Sequence, residues 1–221
     1  MPSVARSQLL AIYNRLYSFL GPSGWWPGET SLEVIVGAIL TQNTTWHNVE
    51  KALVRLKEEE ALSVERLTGI GEEQLAEWIR PAGYYRIKAR RLKNFFRFLQ
   101  EDYHGQIGAL GEQPLEKMRD QLLGIRGIGP ETADSILLYA LGKPTFVVDT
   151  YTHRLFSRHQ MVPEESDYEG LRSFFMEALP EEVSLFNEFH ALIVRTGKTY
   201  CKKKAPLCED CPLGDLEPAI S

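Results

Sequence analysis

The chain has 221 residues, 43% apolar, 10% aromatic and 25% charged, with a formal net charge of −5. This is the composition of a globular protein of one or two domains with ample material for a core, and it excludes a disordered or fibrous chain. No run of about 18 apolar residues occurs, so no transmembrane helix and no membrane partner is expected, and the absence of a signal-peptide cleavage site near the N-terminus points to the cytoplasm. With a negative net charge, any contact with a polyanion has to come from local clusters of cations.

In chain order, apolar spacing predicts helices over 5–20, 30–40, 45–58, 63–67, 72–79, 86–101, 115–123, 130–141, 150–158, 167–178 and 183–197. Loops rich in Gly and Pro separate them, at Gly21-Pro22-Ser23-Gly24, Pro27-Gly28, Pro81-Ala82-Gly83 and Gly142-Lys143-Pro144. No alternating pattern points to a strand, and internal repeats are absent. The expected fold class is all-α.

Trp25 and Trp26 lie in the first of these loops and Trp46 follows the second helix. Indoles are costly to expose, so they either anchor a core or wall a pocket, where their faces would attract a cation by about 0.5–2 kcal/mol. Between them, Ile39-Leu40-Thr41-Gln42-Asn43-Thr44 ends a helix on polar residues. Tyr84 then precedes a basic helix bearing Arg86, Lys88, Arg90, Arg91 and Lys93, and a second basic cluster comprises Lys198, Lys202, Lys203 and Lys204. Each cluster is either a solvated face or a phosphate-binding patch. Acidic residues gather elsewhere, at Glu58–Glu60, Glu72–Glu77 and Glu164–Glu169.

The most informative stretch runs from Leu122 to Arg154. Gly127, Ile128 and Gly129 make a turn between two helical patterns, and Pro130 suits the first position of the second helix. A helix start of this kind can bind an anion through its N–H groups and dipole, although the same sequence also serves as a plain turn. No Lys or Ser/Thr follows in P-loop spacing, so a nucleoside triphosphate is not the expected anion. Downstream, the apolar run Thr145 to Val148 ends in Asp149. An Asp there caps the next helix, places a carboxylate for chemistry, or does both, because a cap fixes the direction of the carboxylate.

Three cysteines, Cys201, Cys208 and Cys211, cluster as C-x6-C-x2-C. So short a cluster is no disulfide framework and in a cytosolic chain more often binds metal; zinc fits poorly, because no histidine lies in spacing.

Together these segments resemble the endonuclease III superfamily of DNA glycosylases, the helix-hairpin-helix-GPD family. Leu122, Gly127, Ile128, Gly129, Thr132 and Ala133 match its hairpin, and Pro144, Val148, Asp149, Thr150 and Arg154 match its Gly/Pro-rich loop and Asp. Residues 39–44 resemble the family's strand-penetrating loop, and the cysteines its iron–sulfur loop. The resemblance implies a two-lobed all-α fold with a cleft between the lobes. A six-helix lobe over 29–141 would carry the hairpin, and 1–28 with 142–221 would form the second lobe. It implies a monomer that binds double-stranded DNA containing a damaged base. Gln42 and Tyr84 would fill the gap left by a flipped base, and Gly127, Ile128, Gly129, Thr132, Arg86 and Lys88 would contact DNA. It also implies a [4Fe–4S] cluster on Cys201, Cys208 and Cys211, where the family's fourth cysteine position is held by Glu217 and four thiolates are the usual complement.

Bifunctional members carry a Schiff-base lysine where this chain has Glu131, and a carboxylate cannot form a Schiff base. Within the superfamily the nearest resemblance is to the 3-methyladenine DNA glycosylases of endonuclease III type, through Trp25-Trp26, Gln42 with Trp46, the segment from Arg80 to Tyr85, and Glu131 to Asp134. The resemblance therefore implies monofunctional excision of an alkylated purine, with Asp149 catalytic and Trp25, Trp26, Trp46, Glu131 and Lys198 around the base. Two alternatives stand beside it: a glycosylase/lyase for oxidised pyrimidines, and a non-enzymatic DNA-structure binder.

Overall fold

The computed structural model describes residues 4–25 and 28–216. Among these there are helices and turns but no strand. By contact density the chain divides into two compact units, Met1–Trp25 with Pro144–Ser221, and Trp26–Lys143.

The second of these units is built around α2 (Ser31–Leu40), whose sequence from Val34 to Leu40 is apolar throughout and buried throughout. Thr30 caps its start by accepting the Glu33 N–H, and the largely buried Glu33 carboxylate pairs with Lys57 at 2.9 Å. Sharing its core are α3 (Trp46–Glu58), α4 (Val64–Gly69), α5 (Glu72–Trp78), α6 (Tyr85–Tyr103), α7 (Ile107–Glu112), α8 (Leu115–Gly124) and α9 (Pro130–Ser135), of which α3, α6 and α9 pack on α2 itself. A single turn of π-helix, Ile136–Ala140, prolongs α9, with the Leu141 N–H reaching back to Ile136 O at 3.1 Å. The helix α7 and the 3-10 turn Arg80–Ala82 are absent from the pattern read in the sequence. Helix α7 has only six residues and contains Gly108 and Gly111, so propensity and periodicity both disfavour it. Packing of Leu110 in the core holds it in place.

The other unit contains α1 (Val4–Leu20), α10 (Thr150–Arg158), α11 (Tyr168–Ala178) and α12 (Val183–Thr199). Helices α1 and α10 both pack on α12, which is buried along much of its length. An aromatic core ties the approach to Asp149 to α11 and α12: Phe146 stacks on Phe175 at 3.9 Å and meets Phe186 and Phe189 edge-on. Such pairs are worth about 0.5–1.5 kcal/mol beyond their buried area. Arg195 donates to Leu20 O (2.7 Å) and Gly21 O (3.0 Å), closing the C-terminal end of α1. No helix among the described residues is long and apolar enough to cross a membrane.

Candidate active site and DNA-binding elements

Phe146, Val147 and Val148 run buried into Asp149. Arg172 anchors the start of this run by donating to Thr145 Oγ1 at 3.0 Å. Asp149 is the N-cap of α10 and forms a capping box with Thr152. Its Oδ1 accepts from Tyr151 N (2.9 Å), Thr152 N (2.8 Å) and Thr152 Oγ1 (3.0 Å). Its Oδ2 takes no part in the cap and lies 3.7 Å from His190 Nε2 on α12, both side chains being nearly enclosed. Burial pushes the Asp149 carboxyl up. The His190 ring and the Thr152 donors more than offset that, so its pKa lies below the ordinary carboxylate value and the group is ionised at neutral pH. His190 escaped the sequence reading because a lone histidine in the apolar run Phe189 to Val194 gives no spacing signal.

Helix α10 also organises the cysteine loop. Gly197 lets α12 approach the first turn of α10 so closely that a Cβ there would sit 2.5 Å from Tyr151 Cδ1. Arg154 lies over the Tyr151 ring and donates to Cys201 O (2.7 Å) and Gly197 O (3.2 Å). One turn on, Arg158 donates to Lys202 O (2.8 Å) and Lys203 O (3.1 Å) and reaches Cys201 Sγ at 3.3 Å. Cys201 is buried, Cys211 half-buried and Cys208 exposed. Burial, and then the proximity of Cys201 and Cys208, raises the Cys211 thiol pKa. The donor set fits an iron–sulfur group in kind, as three thiols on one loop beside a guanidinium. It falls short in number: among the described residues no group of three or more His, Cys, Asp or Glu is placed to hold a metal ion. Asp215 is turned to Arg15, and Glu217 lies outside the described residues. Lys198 is exposed in the last turn of α12.

In the other unit the hairpin joins α8 to α9. A buried ion pair clasps its two helices, Arg119 Nε and Nη2 meeting Asp134 Oδ1 and Oδ2 at 2.9 and 3.2 Å. Gly127 has φ +99°, and a Cβ there would sit 2.5 Å from Arg91 Cγ, so only glycine lets the turn lie against α6. Asn94 of α6 holds the same turn by donating to Arg126 O at 2.8 Å. Gly129 provides no side-chain cap for α9, and Glu131 is exposed in its first turn. Two residues expected at the DNA have their side chains turned into the protein. The Ile128 side chain is in the core and its N–H donates to Ile125 O at 3.0 Å. Thr132 is buried and receives Gln42 Nε2 at 2.7 Å. Gln42 also donates to Gly127 O at 3.3 Å, so the loop after α2 is tied directly to the hairpin.

The basic face of α6 is smaller than its sequence suggests. Lys88, expected to face DNA, is 1% exposed and donates to Ala82 O at 2.7 Å, and burial lowers its pKa to about 8. Lys93 donates to the carbonyls of Leu67 (3.2 Å), Thr68 (2.5 Å) and Ile70 (2.7 Å), closing the end of α4. Arg90 pairs with Glu72 at 3.3 Å, whereas Arg86 is exposed. Burial of a lysine is uncommon and is set by its packing neighbours, so the charge pattern alone did not distinguish the inward cations from the outward ones. Tyr84, 68% exposed, sits in the left-handed region (φ +47°) at the start of α6.

The tryptophans divide between the units. Trp46 opens α3 and packs partly buried against the core of its own unit. Trp25 is half-buried in the other, its backbone N–H donating to Ser23 Oγ at 3.2 Å, while Ser23 is itself held by Glu188. Trp26 lies outside the described residues.

An all-α chain with a helical hairpin on a Gly-Ile-Gly turn and a capped aspartate beyond it defines a class of DNA repair proteins. Residues 36–181 match the model of the HhH-GPD superfamily of base excision DNA repair proteins, and the chain belongs to that family. It is 47% identical over 206 residues to a candidate DNA repair glycosylase of Methanocaldococcus jannaschii, covering 93% of each chain. It is 33% identical to endonuclease III of Thermotoga maritima, covering 80% of this chain and 78% of that one. Among solved structures it resembles the H. pylori 3-methyladenine DNA glycosylase bound to 1,N6-ethenoadenine, with a TM-score of 0.75, 30% identity, and coverage of 88% of this chain and 97% of that one. A non-covalent endonuclease III–DNA complex shares the fold at a TM-score of 0.80 and 24% identity, covering 96% of this chain and 94% of that one. The protein is a DNA glycosylase of this base excision repair family.

Proposed function

We propose that the protein hydrolytically removes an alkylated purine such as 3-methyladenine from double-stranded DNA and leaves the strand uncut. The observation that carries this reading is Asp149, an ionised, nearly enclosed carboxylate with one oxygen held by the helix cap. Breaking the N-glycosidic bond sends the electron pair out with the base and leaves positive charge on the sugar. A fixed carboxylate in a low-dielectric site stabilises that charge. Water then adds to the anomeric carbon and gives its proton to the carboxylate. An N-alkylated purine is already a good leaving group, so no strong general acid is needed, and tryptophans suit its positive charge. Glu131 in place of a nucleophilic lysine supports release without strand cleavage, and so does the 30% identity to a 3-methyladenine DNA glycosylase.

Gly127, Gly129 and Arg86 are the proposed phosphate contacts, and Gln42 and Tyr84 the groups that enter the gap in the duplex. Cys201, Cys208 and Cys211 are the residues that would hold an iron–sulfur cluster, whose role would be to shape the basic loop of Lys202 to Lys204.

The test is end-labelled duplex DNA treated with a methylating agent, with free base followed by chromatography and breaks by gel. Release of 3-methyladenine with breaks only after alkali is expected. Breaks without alkali, or a covalent adduct trapped by borohydride, would overturn the monofunctional reading. They would favour a glycosylase/lyase for oxidised pyrimidines, a reading that the 33% identity to an endonuclease III supports.

A further inference from the structure

We propose that His190 is a positioning residue for Asp149, holding the carboxylate oxygen that the helix cap leaves over and keeping it unprotonated during base release; this rests on the reading of Asp149 as the carboxylate of that reaction.

The two oxygens of Asp149 have different surroundings. Oδ1 takes three donors from the first turn of α10. Oδ2 takes none of these and faces His190 Nε2 at 3.7 Å. An oxyanion enclosed with no opposing group is strongly disfavoured, and a ring that can carry positive charge is the compensation this fold provides. Neither partner can swing away. Asp149 is fixed by its capping box, and His190 is 5% exposed between Phe189 and Ala191 on a helix packed against α10.

Several other charged groups on these elements are engaged elsewhere, while Lys198 of α12 and Glu177 of α11 are exposed. On α10, Arg154 is spent on Cys201 and Gly197 carbonyls, and the Tyr151 ring packs on Gly197. On α11, Arg172 binds Thr145, and the Tyr168 hydroxyl accepts from Val148 N at 3.5 Å. On α12, Glu188 holds Ser23 and Arg195 closes α1. On α1, Arg15 is paired with Asp215, and the Tyr13 ring packs on Phe189. Among the described residues, His190 is the charge-bearing group that lies at ion-pair distance from Oδ2.

The sign follows from the roles. The ionised carboxylate is the active form, and an opposing positive charge lowers its pKa, so removing the imidazole moves the acid limb of the rate profile to higher pH. A glutamine at 190 keeps a polar group facing Oδ2 but cannot carry charge. The experiment measures single-turnover release of 3-methyladenine across the acid range for the wild type, His190→Gln and His190→Leu, with duplex binding and circular dichroism in parallel. The expected result is an acid limb raised by about one to three pH units in both variants, the range for loss of a nearby opposite charge. His190→Gln should retain more of the neutral-pH rate than His190→Leu, with duplex binding unchanged. A folded His190→Gln variant whose acid limb stays in place overturns the proposal. Should neither variant fold, carbon and nitrogen NMR of the wild type decides. The His190 ring nitrogens are expected to respond in the same step in which the Asp149 carboxyl takes up its proton; an unresponsive ring overturns the proposal. Asp149→Asn is the control. If it releases base at the wild-type rate, the reading of Asp149 itself fails; if it is inactive while His190→Gln leaves the limb unmoved, only the assignment of His190 fails.

Discussion

Thr152 and Asp149 bond in both directions. The Thr152 N–H and hydroxyl donate to Asp149 Oδ1 at 2.8 and 3.0 Å, and the Asp149 N–H points back to Thr152 Oγ1 at 3.4 Å. Structure and chemistry therefore draw on the same carboxylate. Thr152→Val keeps the shape and the backbone donor but deletes the hydroxyl. The expected loss of stability is about 1 kcal/mol, the ordinary worth of a cap contact. Base release should fall by more than that stability loss explains, because a loosened carboxylate is displaced from its working geometry. Urea denaturation and single-turnover kinetics check the two parts; an unchanged rate with a lowered stability would make the box purely structural.

Arg119→Met should destabilise the Trp26–Lys143 unit by about 3–5 kcal/mol, because it strands the Asp134 carboxylate in the core without its bidentate partner. The double variant Arg119→Met, Asp134→Leu should recover much of that loss, since a buried pair replaced by apolar groups of similar volume is often close to neutral. Chemical denaturation of the three variants is the measurement. Equal losses in the single and the double variant would mean that the pair contributes through shape rather than charge.

Tyr84 separates folding from function. Its backbone is in the left-handed region and its ring is largely exposed, so the fold gains little from it. Tyr84→Gly should leave stability unchanged or raise it slightly, because glycine occupies that region without cost. If Tyr84 enters the duplex, the same variant should weaken base flipping, read as a smaller fluorescence change from a reporter base beside the lesion. A full fluorescence change would remove Tyr84 from the proposed machinery.

The longer helices were legible because their apolar positions recur with helical spacing, and the hairpin because its Gly-Ile-Gly-Pro turn stands between two such patterns with the Asp149 segment following it. Other features depend on contacts distant in sequence. Helix α7 exists because Leu110 is buried, against the preference of its glycines. Lys88 and Arg86 look alike in a charge pattern, yet one closes a turn inside the protein and the other is exposed. The cap on Asp149 could be read locally, since its donors lie two and three residues on. His190 is 41 residues away, and only the packing of α12 on α10 brings the two together. Arg158 was missed for the same reason: its partners, Cys201, Lys202 and Lys203, lie on a loop more than 40 residues downstream.

The inward turn of Lys88 has a consequence for stability against pH. Burial lowers its pKa from 10.5 to about 8, and burial also lowers that of Lys93. Between pH 8 and 10.5 the unfolded chain therefore holds more proton at Lys88 than the folded one. Stability then rises with pH through that window, and below it the folded state bears the cost of burying an ammonium. Lys88→Met should reduce this upward slope, raising stability at neutral pH relative to the wild type but less so as pH approaches 10.5. The lost bond to Ala82 O offsets part of the gain. Denaturation midpoints of the wild type and the variant, compared at neutral and at alkaline pH, provide the check. A wild-type slope that Lys88→Met leaves intact would place the titration elsewhere.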